Sequence, residues 1–280
     1  MRSILLATDL TPLSDRAVER ALRLAGAGGR LTVLHTIQGD PYAIDGEEEC
    51  RRAETRLRAQ LGAEGGGGRG ATVVVGIGDP AEEIARHARR ASPDVIVLGA
   101  HRQSLLGDLF DTATAQRIVD ARVAPVLSVQ APVTGDYRTV LVGMDTSEAS
   151  GRALAAALAA FPDAAFTVVH AYHVPFGGFL DSPDNRRAFA EQHRQEMSAL
   201  VHEVGQRTGR PDLGEGVKLC LRDGETVSVL LQEVRHAGPD LLVIGTSGSG
   251  NRLFGGVAAT IVTQPPCDLM IVPAASGEPA

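Results

Sequence analysis

The residues best suited to binding chemistry are a glycine-rich turn and a pair of aspartates that end apolar runs. Gly245-Thr-Ser-Gly-Ser-Gly-Asn-Arg-Leu-Phe-Gly-Gly256 holds five glycines and leads into the helical pattern Val257–Val262. Glycines let successive amides turn toward one point, and a following helix N-terminus adds positive potential, so a phosphate can be held without lysine. Lys218 is the only lysine, and a Walker-type P-loop is absent from both halves. Asp9 and Asp145 each close a short apolar run ahead of a helix. They suit either a ligand contact or a cap on the turn into that helix, where aspartate is favoured with or without a ligand. His35 and His170 invite a catalytic reading because histidine as a residue type titrates near neutrality, but a half-buried strand histidine bonded to backbone is the simpler expectation.

These residues sit in a repeat, sought first because a missed period misreads the fold. Met1–Asp9 recurs as Tyr137–Asp145, Leu31–His35 as Phe166–His170, and Ser92–Gly99 as Gly238–Gly245, in the same order. The offset is 136 at the aspartates, 135 at the histidines and 146 at the glycines, which places an insertion of roughly ten residues after His170. The insertion contains the apolar loop His173–Leu180, read as packing over its own domain rather than as a ligand lid or partner surface. Within each copy, apolar runs alternate with helical patterns, which argues for a parallel sheet with helices on its faces. Strands are expected near 3–9, 31–37, 71–76, 94–99 and 125–129, then near 138–144, 165–171, 217–221, 240–245 and 268–272. Helix signals agree: Pro12 after Thr11, Glu47–Glu49 in a first turn, Pro80 after a capping Asp79, and Arg86, Arg89 and Arg90 toward a C-terminus. Gly65–Gly68 and Gly70 read as a flexible link, Ala131–Asp136 as the interdomain linker, and the segment from Ala274 as a disordered tail. The domains are therefore 1–132 and 137–274.

Composition narrows the function. At 280 residues with 44% hydrophobic and 22% charged residues, the chain suits two globular cores. A net charge of −7 disfavours nucleic acid, which needs a basic face. Cys50, Cys220 and Cys267 stand apart, so neither a zinc site nor a disulfide framework is expected. No run is long and apolar enough for a membrane span and no signal peptide is recognisable, so a cytoplasmic protein without membrane contact is expected. Gly76-Ile-Gly-Asp-Pro-Ala81 matches a dinucleotide fingerprint, but it follows the third strand and no acidic residue ends the next one, so NAD is not expected. No catalytic set or metal cluster emerges, and no catalytic or metal residue is named.

The aspartate after strand one, the histidine of strand two, Gly78-Asp-Pro80 and the glycine-rich turn after strand four make the sequence resemble the universal stress protein family, twice over nearly the whole chain. The resemblance implies two tandem, doubly wound, five-stranded parallel α/β domains. These would be Rossmann-like, in the manner of adenine nucleotide alpha hydrolases, and paired through their fifth strands as a pseudo-dimer. A further homodimer is left open. Family members that bind ATP carry G-x-x-G-(x)9-G-(S/T). The second half keeps Gly245 and Gly248, shortens the spacer before Gly255, and has Gly256 at the hydroxyl position. The first keeps Gly99 but has Arg102, Thr112 and Ala113 at the later positions, where Arg102 could grip a phosphate or fill the pocket.

By resemblance, the second half would bind ATP or another adenine nucleotide, with magnesium where the phosphates need it. Its site would comprise Asp145, Ala171, Gly245, Gly248, Ser249, Gly250, Gly255 and Gly256. A weaker first-half set would comprise Asp9, Thr36, Gly99, Arg102 and Thr112. The function implied is a stress-response sensor or regulator with at most slow hydrolysis. The alternatives are a scaffold that binds no nucleotide and, less favoured, a carrier of an apolar ligand under Phe176–Leu180.

Overall fold

The computed structural model describes residues 1–39, 46–63, 70–99, 112–173, 182–246 and 256–274. These divide into two compact units, 1–136 and 137–274. The Gly65–Gly68 run, residues 174–180 of the apolar loop and the tail beyond Ala274 lie outside the described residues.

In the first unit the order is β1 (Ser3–Ala7), a 3-10 turn (Pro12–Ser14), α1 (Asp15–Ala25), β2 (Arg30–Ile37), α2 (Gly46–Ala63) and β3 (Thr72–Ile77). It continues with α3 (Pro80–Ala91), β4 (Val95–Gly99), α4 (Thr112–Asp120) and β5 (Val126–Val129). All pairings are parallel and the spatial order is β3-β2-β1-β4-β5. Every residue of β1, β4 and β5 is buried. Such unbroken apolar runs mark strands covered by helices on both faces. The Asp79 side chain accepts from Glu82 N at 3.0 Å as a cap, and Arg89 and Arg90 stand in the last turn of α3. Arg86 instead turns back to pair with Glu83. Pro12 opens the 3-10 turn, not the α-helix, because Asp9 first draws the following residues into a turn of its own.

The second unit contains β6 (Thr139–Gly143), α5 (Glu148–Ala160), β7 (Ala165–Tyr172), α6 (Pro183–Arg207), α7 (Leu213–Gly216) and β8 (Val217–Asp223). It ends with α8 (Thr226–Ala237), β9 (Leu241–Gly245), α9 (Gly256–Thr263) and β10 (Asp268–Val272). Its order is β8-β7-β6-β9-β10, again parallel. Part of the insertion after His170 is helix: α6 has 25 residues where α2 has 18, and α7 has no counterpart among the described residues of the first unit.

Two repeated devices brace the sheets. Asp94 Oδ2 accepts from the amides of Arg2 (2.6 Å) and Ser3 (3.0 Å), and Asp240 Oδ2 accepts from those of Arg138 and Thr139 (2.8 Å each). The repeated Pro-Asp thus pins the first strand of each unit beside its fourth. Gly78 (φ 140°) and Gly224 (φ 151°) turn the chain into α3 and α8, and their amides donate to Ile37 O and Tyr172 O, each at 2.9 Å. A side chain would be strained at that φ, so the apparent dinucleotide fingerprint is a turn requirement.

The segment read as a linker is fastened down. Along α1, Arg16 donates to Gln130 O (2.6 Å), Arg20 to Gly135 O (2.7 Å) and Arg23 to Asp136 Oδ1 (2.6 Å). Residues three and four apart share a helix face, so the three arginines form one stripe beneath the segment.

Candidate functional site

In an open α/β sheet the strand order reverses between the first and fourth strands, and the two adjoining loops leave a crevice at the strands' carboxyl ends. In the second unit that point lies between β6 and β9, where a cavity of about 290 Å³ opens. Its lining includes Gly143, Met144 and Asp145 after β6, Ala149 and Ser150 at the start of α5, Val169 and Ala171 of β7, Thr226 and Leu230 of α8, and Gly245, Thr246 and Gly256. Four residues of the second-half set therefore meet at one cavity: Asp145, Ala171, Gly245 and Gly256. Gly248, Ser249, Gly250 and Gly255, and in the first half Arg102, lie outside the described residues. Ser150, Thr226 and Leu230 were not singled out from the sequence. The available signal was that Gly224-Glu-Thr226 occupies the place of Gly78-Asp-Pro80.

The helix N-termini of α5 and α9 both reach this cavity. The leading amides and aligned dipoles of a helix N-terminus favour an anion, although at α5 the Ser150 amide already donates to Ser147 Oγ. Asp145 is exposed. Its Oδ1 accepts from Ser147 N at 2.9 Å and from Ser147 Oγ, while Ser150 Oγ donates to the Asp145 carbonyl at 2.7 Å. Asp9 is more heavily engaged. Its Oδ1 takes Thr11 N (2.9 Å), Thr11 Oγ1 (2.7 Å) and Ser14 Oγ (2.5 Å). Both aspartates thus shape the turn into the first helix, and Asp145 has fewer side-chain donors on its carboxylate.

Gly99 and Gly245 have a packing reason to be glycine. A Cβ on Gly245 would stand 2.5 Å from Ala149 O and 2.8 Å from Ala149 C; one on Gly99 would stand 3.0 Å from Ser14 Oγ and 3.2 Å from Ser14 Cα. The first helix of each unit passes directly over the end of the fourth strand. Gly256 differs, with nothing among the described residues within 4 Å of its Cβ position. Thr36, at the first-half position matching Ala171, is 2% exposed, and its Oγ1 has no hydrogen-bond partner among the described residues. Thr112 begins α4.

The histidines are bonded to backbone, as expected. His35 Nδ1 lies 2.8 Å from Thr8 O and His170 Nδ1 2.9 Å from Met144 O. A carbonyl can only accept, so both rings carry the proton on Nδ1. Burial holds His35 below the usual imidazole range, outweighing the bond to Thr8 O, and the Arg56 charge acts in the same direction as burial. His170 has a further neighbour: its Nε2 is 3.1 Å from Nδ1 of His193 on α6. Burial and the adjacent Asp268 push the Cys267 thiol up to about 12, so it stays protonated at neutral pH. No helix among the described residues is long and apolar enough to cross a membrane.

The sequence model of the Universal stress protein family matches residues 1–130 and again residues 136–273. A universal stress protein from Archaeoglobus fulgidus DSM 4304 superposes with a TM-score of 0.65 at 19% identity, covering 96% of this chain and 97% of that one. A functionally unknown protein from Pseudomonas aeruginosa PAO1 superposes with a TM-score of 0.64 at 15% identity, covering 97% and 92%. A shorter universal stress protein, solved in complex with cAMP, covers 49% of this chain and 98% of its own at 26% identity and a TM-score of 0.39. A search of curated proteins returned no significant match. With a family match in each half and the same five-stranded unit built twice, the chain belongs to the universal stress protein family as a tandem two-domain member.

Proposed function

We propose that the second unit binds an adenine nucleotide, ATP in the first instance, in the cavity between β6 and β9, and that the protein acts as a stress-response sensor or regulator. The observation that carries this reading is the cavity itself. It lies at the switch point and gathers two helix N-termini, an exposed aspartate and the small residues Ala171, Gly245 and Gly256. Helix N-termini suit phosphate oxygens, the aspartate suits ribose hydroxyls, and Val169, Ile244 and Leu230 give an apolar wall for a base. Magnesium would accompany the phosphates. Among the described residues no side chain is arranged as nucleophile or general base, and at most slow hydrolysis is expected.

The first unit supports a different reading, that of a scaffold. Asp9 is held by three internal donors, more than Asp145 has on its carboxylate. The deciding experiment is calorimetric titration of nucleotide-stripped protein with ATP and magnesium, beside an Ala171→Phe variant that fills the cavity wall. One equivalent per chain, lost in the variant, is expected. Absence of heat together with absence of copurified nucleotide refutes the reading and leaves both units as scaffolds.

A further inference from the structure

Behind the wall of the second-unit cavity stands a pair of histidines that the proposed function does not use. Side chains alternate along β7, so Val169 and Ala171 face the cavity while His170 and Tyr172 face α6. Because His170 donates from Nδ1 to Met144 O, its Nε2 carries a lone pair, and His193 Nδ1 at 3.1 Å must be the donor to it. The two rings have centroids 5.0 Å apart, and the His193 ring stacks on Tyr172 at 5.0 Å and 23°. Glu196 Oε2 lies 3.6 Å from His193 Nδ1.

The hydrogen-bond geometry has a place for one added proton but not for a second. The first goes to His193 Nε2 and leaves both hydrogen bonds in place. The resulting charge lies over the Tyr172 ring face and beside the Glu196 carboxylate, both favourable to a cation. A second proton, on His170 Nε2, would set N–H against N–H. With His193 charged, its bond to His170 becomes charge-assisted and stronger. It also polarises the His170 ring, making Nδ1–H a better donor to Met144 O. Met144 lines the cavity and immediately precedes Asp145, whose carboxylate organises the Ser147 turn.

We propose that His193 is a positioning residue for the second-unit site, acting through His170 and the Met144 carbonyl. A proton on His193 tightens the Asp145 turn, so an anionic ligand binds more strongly as pH falls through the imidazole range. The sign follows from linkage: if the protonated form binds better, the ligand-bound state holds more protons and affinity declines as pH rises. The charged groups on elements packed against α6 have settings of their own. Glu148 and Arg152 of α5 pair at 3.6 Å, and Arg222 of β8 pairs with Glu233 at 2.6 Å. Asp223 lies 3.6 Å from Arg186 and 4.0 Å from His173, while Lys218 and Glu215 are exposed. The first unit supplies a comparison, because His35 makes the same backbone bond but burial holds it below the usual imidazole range.

The inference rests on the nucleotide reading only for its ligand arm, and the test separates the two. Imidazole nitrogen NMR on the ligand-free full chain, between about pH 8 and about pH 5 where imidazole changes charge, should show His193 Nε2 protonating while His170 Nε2 stays bare. The Ser147 amide shift should move with the same midpoint. His193→Gln keeps an N–H donor but cannot titrate, so in that variant the Ser147 shift should be flat. ATP affinity in the wild type should rise about fivefold over this range relative to the variant, the lower end of ordinary site coupling; the ligand's own titration is common to both proteins and cancels. His170 protonating first, or a Ser147 amide that ignores His193, overturns the inference without reference to any ligand. An equal pH slope in His193→Gln overturns it as well. If ATP gives no heat, the nucleotide reading fails and the Ser147 comparison alone decides the coupling.

Discussion

Gly245→Ala separates packing from ligand binding at the most familiar position of the glycine-rich turn. The added Cβ would meet Ala149 O at 2.5 Å, Ala149 C at 2.8 Å and Ser150 N at 3.2 Å, all backbone atoms at the start of α5. No rotamer change relieves backbone contacts, so α5 must shift off β9, and overpacking of this kind costs about 1–3 kcal/mol. We expect the upper half of that range, about 2–3 kcal/mol, because two of the contacts fall below 3.0 Å. In urea, with a slope of about 2 kcal/mol/M, the midpoint of the second unit should fall by about 1 M. The assay is urea unfolding of ligand-free protein beside Gly256→Ala. That site has nothing among the described residues within 4 Å, and a helix-compatible Gly→Ala change is neutral or stabilising by up to about 1 kcal/mol. If Gly245→Ala leaves the unfolding midpoint unchanged while abolishing nucleotide binding, the packing argument is refuted and the glycine serves the ligand alone.

Tyr137 OH donates to the buried Asp268 carboxylate at 2.5 Å, and Asp268 is 1% exposed. Tyr137→Phe should cost about 1.5–3 kcal/mol in thermal or urea unfolding, the usual value of a hydrogen bond to a charged group; a change below about 0.5 kcal/mol would contradict this. Because His35 is held below the usual imidazole range in the folded state, the unfolded chain binds its proton first. Its contribution is therefore full above the unfolded value of about 6.5 and declines as pH falls through it toward the folded value. His35→Gln should reduce the pH slope of stability over that interval, and a slope equal to wild type would count against the assignment.

The architecture was largely legible in the sequence because the apolar runs of a two-sided parallel sheet are unbroken and here occur twice in the same order. Gly245 and Gly256 could be placed at the crevice for the same reason, since one ends β9 and the other begins α9, whereas Asp145 and Ala171 were assigned to it by the family resemblance. What was not legible depends on atoms far apart in the chain. The repeated Asp94 and Asp240 gave no sign that they would hold Ser3 and Thr139, because that bond spans some ninety to a hundred residues. Gly99 and Gly245 looked like ligand glycines, whereas their distances to Ser14 and Ala149 show a helix crossing a strand end. The His170–His193 contact was hidden for a similar reason, since the inserted segment between them conceals which turn of α6 returns to β7.

The arginine stripe on α1 bears on the order in which the chain is made. Domains generally fold as units, N-terminal first, during synthesis. Arg16, Arg20 and Arg23 are translated more than a hundred residues before Gln130, Gly135 and Asp136. The last contacts of the first unit can therefore close as soon as residue 136 clears the ribosome, while the second unit is still being synthesised. A nascent chain stalled soon after that point should already resist protease between residues 130 and 136.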